Sequence, residues 1–214
     1  LGVNEEEYNH KEHHMISSSI CDATAIAPIT KILNDRYEID MGYVTTLHPW
    51  LSYQNLMDGP SSSWSVPGSV YHHYALGRSA VGNMIPKPTS AMDAVFKVIP
   101  SLDSSKIGSF SYRTPTQLIG SADITYFLKR KIIKSDFIKI LKTFEKNQAF
   151  PILKVSNEPL VSSDYIGEKV STIFDTRWFN VIDEKLVKIV LWYDNEFGYS
   201  SNVLEQIKYI SNFF

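Results

Sequence analysis

This sequence has little cysteine, no excess of one charge and no long apolar run. Cys21 is the single cysteine among 214 residues, so no internal disulfide can form, which fits a reducing compartment. The formal net charge is −2, and no long run of one sign suggests attraction to nucleic acid or a membrane surface. No apolar run approaches the roughly 20 residues that cross a bilayer. We therefore expect no nucleic-acid partner, no membrane partner and a cytoplasmic location.

Hydrophobic residues make up 43% of the chain, which is enough for an ordinary core. Apolar periodicity predicts a set of helices and a set of strands, with a long Ser-, Gly- and Pro-rich loop at residues 59–77. The predicted helices cover residues 23–33, 90–99, 134–146 (with Ser135 as N-cap) and 202–214, and the strands cover 41–47, 108–113, 121–129, 170–175, 180–182 and 186–192. Because these elements do not alternate strictly, we predict an α+β fold with a mixed, mostly antiparallel sheet and helices on one face.

Cys21 stands at the start of the first predicted helix, where a thiol has two possible roles. Unpaired N–H groups at a helix N-terminus lower a thiol pKa, and so does a nearby imidazolium. His48 follows a predicted strand, at a position from which its side chain can reach such a helix start. The alternative is a small buried core thiol, and the sequence alone does not bring the two side chains together.

Several segments resemble the glyceraldehyde-3-phosphate dehydrogenase family. "SSSICDATAIAPITKIL" resembles its catalytic-cysteine segment, "GYVTTLH" the strand that carries its catalytic histidine, and "WYDNEFGYSSNVLEQI" its C-terminal signature. "MIPKPTSAMDAVFKVIPSL" and "SYRTPT" match two further segments in the right order. The resemblance covers essentially the whole chain and implies one catalytic domain over residues 1–214. It also implies that the family's N-terminal NAD-binding Rossmann domain is absent here, in agreement with the lack of a G-x-G-x-x-G motif.

The resemblance implies a mechanism in which a thiolate attacks an aldehyde, hydride passes to NAD, and phosphate attacks the resulting thioester. It implies that Cys21 is the nucleophile and His48 the base. The other implied positions are Arg113 and Thr89 for phosphate binding, and Asn195, Tyr193 and Tyr199 around the nicotinamide. It further implies a small-molecule aldehyde or sugar-phosphate substrate, a place in glycolysis, and a homo-oligomer, either a dimer or a tetramer.

The chain departs from the family pattern around the implied phosphate sites. Ile20 and Asp22 flank Cys21 where the family usually has serine and threonine, and Leu51 replaces a phosphate-binding threonine. Arg78 matches a different position from the family's second arginine, which falls at residue 75 or 76, and Ser90 replaces a glycine. Asp22 opposes a thiolate unless it points into solvent. These changes predict an altered substrate, or water in place of phosphate as the acyl acceptor.

Two other functions remain open at this point. One is a non-catalytic homologue kept for assembly or partner binding, which the eroded phosphate sites and Asp22 favour. The other is metal binding by His10, His13 and His14, whose spacing is loose and better explained by a solvated linker. We therefore predict an NAD-dependent aldehyde dehydrogenase domain, inactive in isolation, with no metal site.

Overall fold

The computed structural model describes residues 1–52, 54–59, 62–66, 69–72 and 77–214. Its helices are α1 (Cys21–Tyr37), α2 (Ala91–Val98), α3 (Lys134–Asn147) and α4 (Phe197–Ser211), with 3-10 turns at Glu5–Glu7 and Ser162–Tyr165. Its strands are β1 (Ile39–His48), β2 (Ser62–Val66), β3 (Ser69–His72), β4 (Ile85–Lys87), β5 (Ile107–Arg113), β6 (Gly120–Leu128), β7 (Leu153–Ser156), β8 (Thr172–Asp175), β9 (Asn180–Ile182) and β10 (Leu186–Tyr193).

One mixed sheet organises the molecule. Its strand order is β4-β5-β1-β6-β10-β8-β7, with β9 paired to β10. The β1–β5 and β7–β8 pairs are parallel, whereas β6 is antiparallel to both β1 and β10. The sequence therefore predicted the α+β class and the mostly antiparallel sheet correctly. The parallel pairing sets His48 directly opposite Arg113 at the end of two neighbouring strands.

The core lies between the sheet and the apolar side of α1. Ile26, Ile29 and Leu33 are fully buried at helical spacing, and α1 contacts β1, β6, β8 and β10. On β6 the alternating residues Ala122, Ile124, Tyr126 and Leu128 are all fully buried, as their period of two predicts. Burying these side chains fixes the register of β6, and with it the positions of the strand ends on either side.

Several predicted boundaries were wrong for physical reasons that the structure shows. Helix α4 begins at Phe197, five residues before the predicted start, because the Asp194 carboxylate accepts hydrogen bonds from the backbone N–H groups of Glu196 and Phe197. Ser135 is not an N-cap, since α3 already begins at Lys134. The stretch around Gly198 resembles a turn in sequence, yet it opens a helix.

The short strands were missed for a different reason. β4 contains Pro86 and lies at the sheet edge, where proline is tolerated but a sequence pattern of three residues is too short to detect. β7 is similarly brief. The predicted loop at residues 59–77 falls partly outside the described residues, and its described part contains the β2–β3 pair, so the loop prediction was wrong there. In the part of the chain that the structure describes, no helix is long and apolar enough to cross a membrane.

Candidate active site

Three chain segments converge at one edge of the sheet. Cys21 is the first residue of α1, His48 is the last residue of β1, and Tyr193 is the last residue of β10. Because α1 packs across both β1 and β10, its first turn lies over the ends of these strands. Cys21 therefore lies at a helix N-terminus, as the sequence pattern predicts, and the structure brings its sulfur within 4.8 Å of a ring nitrogen of His48.

Asp22 occupies the centre of this arrangement. Its Oδ2 accepts a hydrogen bond from His48 Nε2 at 2.8 Å, and its Oδ1 accepts one from the Tyr193 hydroxyl at 3.1 Å. The Cys21 thiol donates to the same Oδ1 at 3.4 Å. Asp22 is only 3% exposed, so the alternative in which this side chain points into solvent was wrong. The Asp22 carboxylate is therefore hydrogen-bonded to His48 Nε2, the imidazole nitrogen that would otherwise pair with a catalytic thiolate.

The electrostatics follow from this geometry. Burial raises the pKa of Cys21 to about 12, with further contributions from the charge of Asp22 and its hydrogen bond. Burial also opposes ionisation of Asp22, but the hydrogen bond and charge of His48, together with the Cys21 and Tyr193 hydrogen bonds, lower the pKa of Asp22 overall. The helix N-terminus therefore does not give the low thiol pKa that its position predicts. In the resting site the thiol is protonated and the carboxylate is charged.

A cleft of about 440 Å³ opens beside this cluster. Its lining residues are Ile20, Asp22, His48, Lys87, Pro88, Thr89, Ser90 and Arg113. Arg113 is 9% exposed; its Nη1 donates to the Pro49 carbonyl at 3.2 Å, while its Nε has no partner among the described residues. A buried guanidinium N–H without a partner is costly unless a ligand satisfies it. The cleft can therefore hold a polar or anionic group next to the cysteine.

The profile of the glyceraldehyde 3-phosphate dehydrogenase C-terminal domain matches residues 20–195. The chain belongs to this family. Over 211 residues it is 35% identical to glyceraldehyde-3-phosphate dehydrogenase 3.1 of Caenorhabditis briggsae, covering 99% of this chain and 59% of that protein. It is 33% identical to glyceraldehyde-3-phosphate dehydrogenase 2 of Saccharomyces cerevisiae over 99% of this chain and 60% of that protein. For the enzyme of Phytophthora infestans the identity is 37%, over 98% of this chain and 60% of that protein. The chain spans about three fifths of the length of these relatives.

The cleft brings together two of the residues that the family resemblance assigns to phosphate binding. Arg113 and Thr89 both line it, and the Thr89 Oγ1 accepts a hydrogen bond from the backbone N–H of Ala91 at 3.2 Å. Ile20 lines the same cleft without offering a hydrogen bond. Arg78 lies outside this lining and pairs with Asp58 at 3.1 Å on the surface. Residues 75 and 76, where the family's second arginine is expected, are outside the described residues.

The residues assigned to the nicotinamide have mixed surroundings. The Asn195 Oδ1 is buried and has no partner in the part of the chain that the structure describes, which suits an acceptor for a carboxamide N–H. The Tyr199 hydroxyl donates to the Ser19 carbonyl at 3.2 Å, which ties the segment before Cys21 to α4. The Tyr193 hydroxyl is directed to Asp22, where it supports the carboxylate. Sequence analysis missed this bond, because 171 residues separate its partners.

Lys87 was missed by the sequence analysis. It lies in the edge strand β4, opposite Ser111 of β5, and so reaches the cleft beside Arg113. The available signal was its position two residues before Thr89. That signal has meaning only once β4 is known to pair with β5.

The metal-ligating atoms of Cys21, Asp22 and His48 lie within 4.8 Å of one another, a set that resembles a three-ligand site. Lys87 and Arg113 line the adjacent cleft and oppose the binding of a cation there. His13 lies in the exposed N-terminal segment, where its Nδ1 accepts a hydrogen bond from the Asn9 backbone at 3.2 Å. The geometry around Cys21 favours proton transfer over metal binding.

Gly120 links the packing of the sheet to this site. It pairs with Tyr193 across β6 and β10, and a Cβ at this position would overlap the Tyr193 ring. We expect Gly120→Ala to lower the free energy of unfolding by about 1–3 kcal/mol, because the ring must shift within a packed core. Urea unfolding checks this. Gly82→Ala is the matched control, since its Cβ would lie 3.4 Å from the Ser79 hydroxyl oxygen; equal stabilities of the two variants would contradict the prediction.

Proposed function

We propose that this chain is the catalytic domain of an NAD-dependent aldehyde dehydrogenase that works through a thioester on Cys21. The observation that carries the proposal is the convergence of a thiol, a carboxylate, an imidazole and a buried arginine in one cleft. Membership of the glyceraldehyde-3-phosphate dehydrogenase family supports this reaction class. A domain kept only for assembly has no need of a buried guanidinium N–H without a partner.

The protonation states of Cys21, Asp22 and His48 suggest how these residues act. As the Cys21 sulfur forms a bond to the carbonyl carbon, the thiol proton can move to Asp22, whose Oδ1 lies 3.4 Å away. The carbonyl oxygen then takes this proton from Asp22, which restores the carboxylate and leaves a thiohemiacetal on Cys21. His48 then accepts the hydroxyl proton as the carbon is oxidised, and a thioester remains. Asp22 therefore replaces a resting thiolate–imidazolium pair with a thiol that ionises only when the aldehyde is present.

NAD, when bound, supplies the oxidation by accepting hydride. The unpartnered Oδ1 of Asn195 fits the carboxamide of that cofactor. By family resemblance, most of the NAD site belongs to a domain outside these 214 residues. The same resemblance supports a homo-oligomer in the cytoplasm as part of this proposal.

The altered phosphate positions support a substrate or acyl acceptor different from the standard one. Ile20 and Leu51 cannot donate side-chain hydrogen bonds, and Leu51 instead donates its backbone N–H to Gln54 at 2.8 Å. A phosphate held with fewer partners loses much of its binding energy. We therefore propose that the acyl acceptor is water, or that the aldehyde carries a different group from that of glyceraldehyde 3-phosphate.

A second candidate rests on the Asp22–His48 hydrogen bond. At 2.8 Å it occupies the imidazole nitrogen that would otherwise activate the thiol. A protonated thiol beside an occupied imidazole is also what a non-catalytic homologue, kept for assembly or partner binding, would show. The two candidates differ in whether Cys21 is needed for turnover.

The test is NAD reduction by the full-length protein across a panel of aldehydes. We expect reduction of NAD with at least one aldehyde, and loss of about 1,000-fold or more in kcat/KM in Cys21→Ser because the nucleophile is removed. Thr24→Ser, a hydroxyl-retaining change in the same turn of α1, is the matched control and should keep activity. No reduction with any aldehyde would favour the non-catalytic homologue. Rapid formation of an acyl phosphate from glyceraldehyde 3-phosphate would contradict the altered substrate or acceptor.

A further inference from the structure

Lys87 places a second cation in the cleft. It ends the edge strand β4, whose pairing with β5 sets Ile85 opposite Arg113 and Lys87 opposite Ser111. Both Lys87 and Arg113 line the cleft that also contains Asp22 and His48. The family match and the resemblance assign Lys87 no role.

These two cations lack an anionic partner among the described residues. The ion pairs found there include neither Lys87 nor Arg113. Burial lowers the pKa of Lys87, and the charge of Arg113 lowers it further, while Asp22 and Cys21 act in the opposite direction. Two like charges in a partly buried cleft repel each other unless an anion lies between them.

Asp22 does not supply that anion. Its two carboxylate oxygens already accept hydrogen bonds from His48, Tyr193 and Cys21. Arg113 is 9% exposed and its Nε points to no protein acceptor. This buried N–H donor of Arg113 and the half-buried ammonium of Lys87 therefore lie side by side. Together they form a place for an anionic acceptor that no described protein group fills.

We propose that Lys87 is a further binding residue of the anion subsite that the family resemblance assigns to Arg113 and Thr89, and that it contacts an oxyanion, either a carboxylate or a phosphate, carried by the substrate. Thr89, whose hydroxyl lies at the start of α2, completes the wall of this subsite. The inference rests on the proposed function for the identity of the ligand as substrate, but the binding of the anion does not depend on catalysis. Lys87 thereby substitutes for hydrogen-bond donors that Ile20 and Leu51 no longer provide.

The test measures binding of inorganic phosphate and of acetate to the protein by titration calorimetry. We expect Lys87→Met to weaken binding of the preferred anion at least tenfold, because a cation in a partly buried site is lost, and Lys87→Arg to restore most of it. Lys97→Met is the matched control, since Lys97 is an exposed lysine in α2 and its loss should change nothing. Tighter binding of phosphate than acetate would identify a phosphorylated substrate, and the reverse a carboxylated one.

Two results would overturn the inference: binding in Lys87→Met equal to that of the unchanged protein, or no binding of either anion. Circular dichroism of Lys87→Met confirms that the variant is folded before binding is compared. Cys21→Ser separates the subsite from the reaction, because it should abolish NAD reduction and leave anion binding intact. Anion binding without NAD reduction in the unchanged protein would contradict only the proposed function.

Discussion

Replacing Asp22 with asparagine should make Cys21 react with an alkylating reagent about threefold faster near neutral pH. The charge of Asp22 opposes the thiolate, and the thiol now donates to that carboxylate at 3.4 Å. Removing this negative charge should lower the thiol pKa by about 1 unit, because burial, the larger cause of the raised pKa, remains. A less basic thiolate is also a weaker nucleophile, which offsets part of the gain.

The measurement is the rate of alkylation against pH, and the single cysteine makes the signal specific to Cys21. Asparagine keeps the shape of Asp22 and one acceptor oxygen, so it removes the charge and retains a hydrogen bond from either His48 or Tyr193. The matched control is Asp35→Asn, which removes a carboxylate of α1 that pairs with Lys31 on the surface. Equal rates in Asp22→Asn and in the unchanged chain would show that the carboxylate does not control the thiol.

Replacing His48 with alanine should destabilise the fold by about 3 kcal/mol. Asp22 is 3% exposed, and the 2.8 Å bond to His48 is the shortest of its side-chain hydrogen bonds. Without the imidazole, a buried carboxylate must either stay charged with fewer partners or take up a proton. Urea unfolding at neutral pH measures the loss of stability.

A control variant and a double variant test whether the loss of stability in His48→Ala comes from Asp22. His14→Ala removes an exposed histidine from the N-terminal segment and should leave the free energy of unfolding within about 0.5 kcal/mol of its starting value. Adding Asp22→Thr to His48→Ala removes the stranded charge and should recover much of the lost stability. Additive effects of the two changes would mean that Asp22 and His48 are not energetically coupled.

The sequence sufficed for the fold because local pattern and packing agree. On β6 the alternation of Ala122, Ile124, Tyr126 and Leu128 is matched by complete burial of all four side chains. The end of β1 at His48 and the helix that starts at Cys21 were likewise predictable, since both elements are long and periodic. Short or capped elements such as β4 and the start of α4 depend on contacts that a linear pattern does not contain.

Several residues of the site could be identified from the sequence, but the hydrogen bonds between them could not. The family resemblance assigned Cys21 and His48 to one site, and the sequence identified Asp22 as a charge that opposes the thiolate. It could not show that Asp22 points inward, because that orientation depends on Tyr193 and His48 closing over it from two different strands. Lys87 escaped notice for the same reason, since its neighbour Arg113 lies 26 positions away in the chain and is brought near by β4–β5 pairing.

The Cys21 thiol is protonated at rest because burial and the neighbouring charge of Asp22 both oppose its ionisation. The most direct measurement is the ultraviolet absorbance of the thiolate in the unchanged chain, titrated from about pH 4 to about pH 9, below the range in which most tyrosines ionise. Cys21→Ser supplies the background. We predict no thiolate signal over this range, because the pKa of Cys21 is about 12. A titration step below pH 8 that disappears in His48→Ala would contradict this account and show a thiolate–imidazolium pair instead.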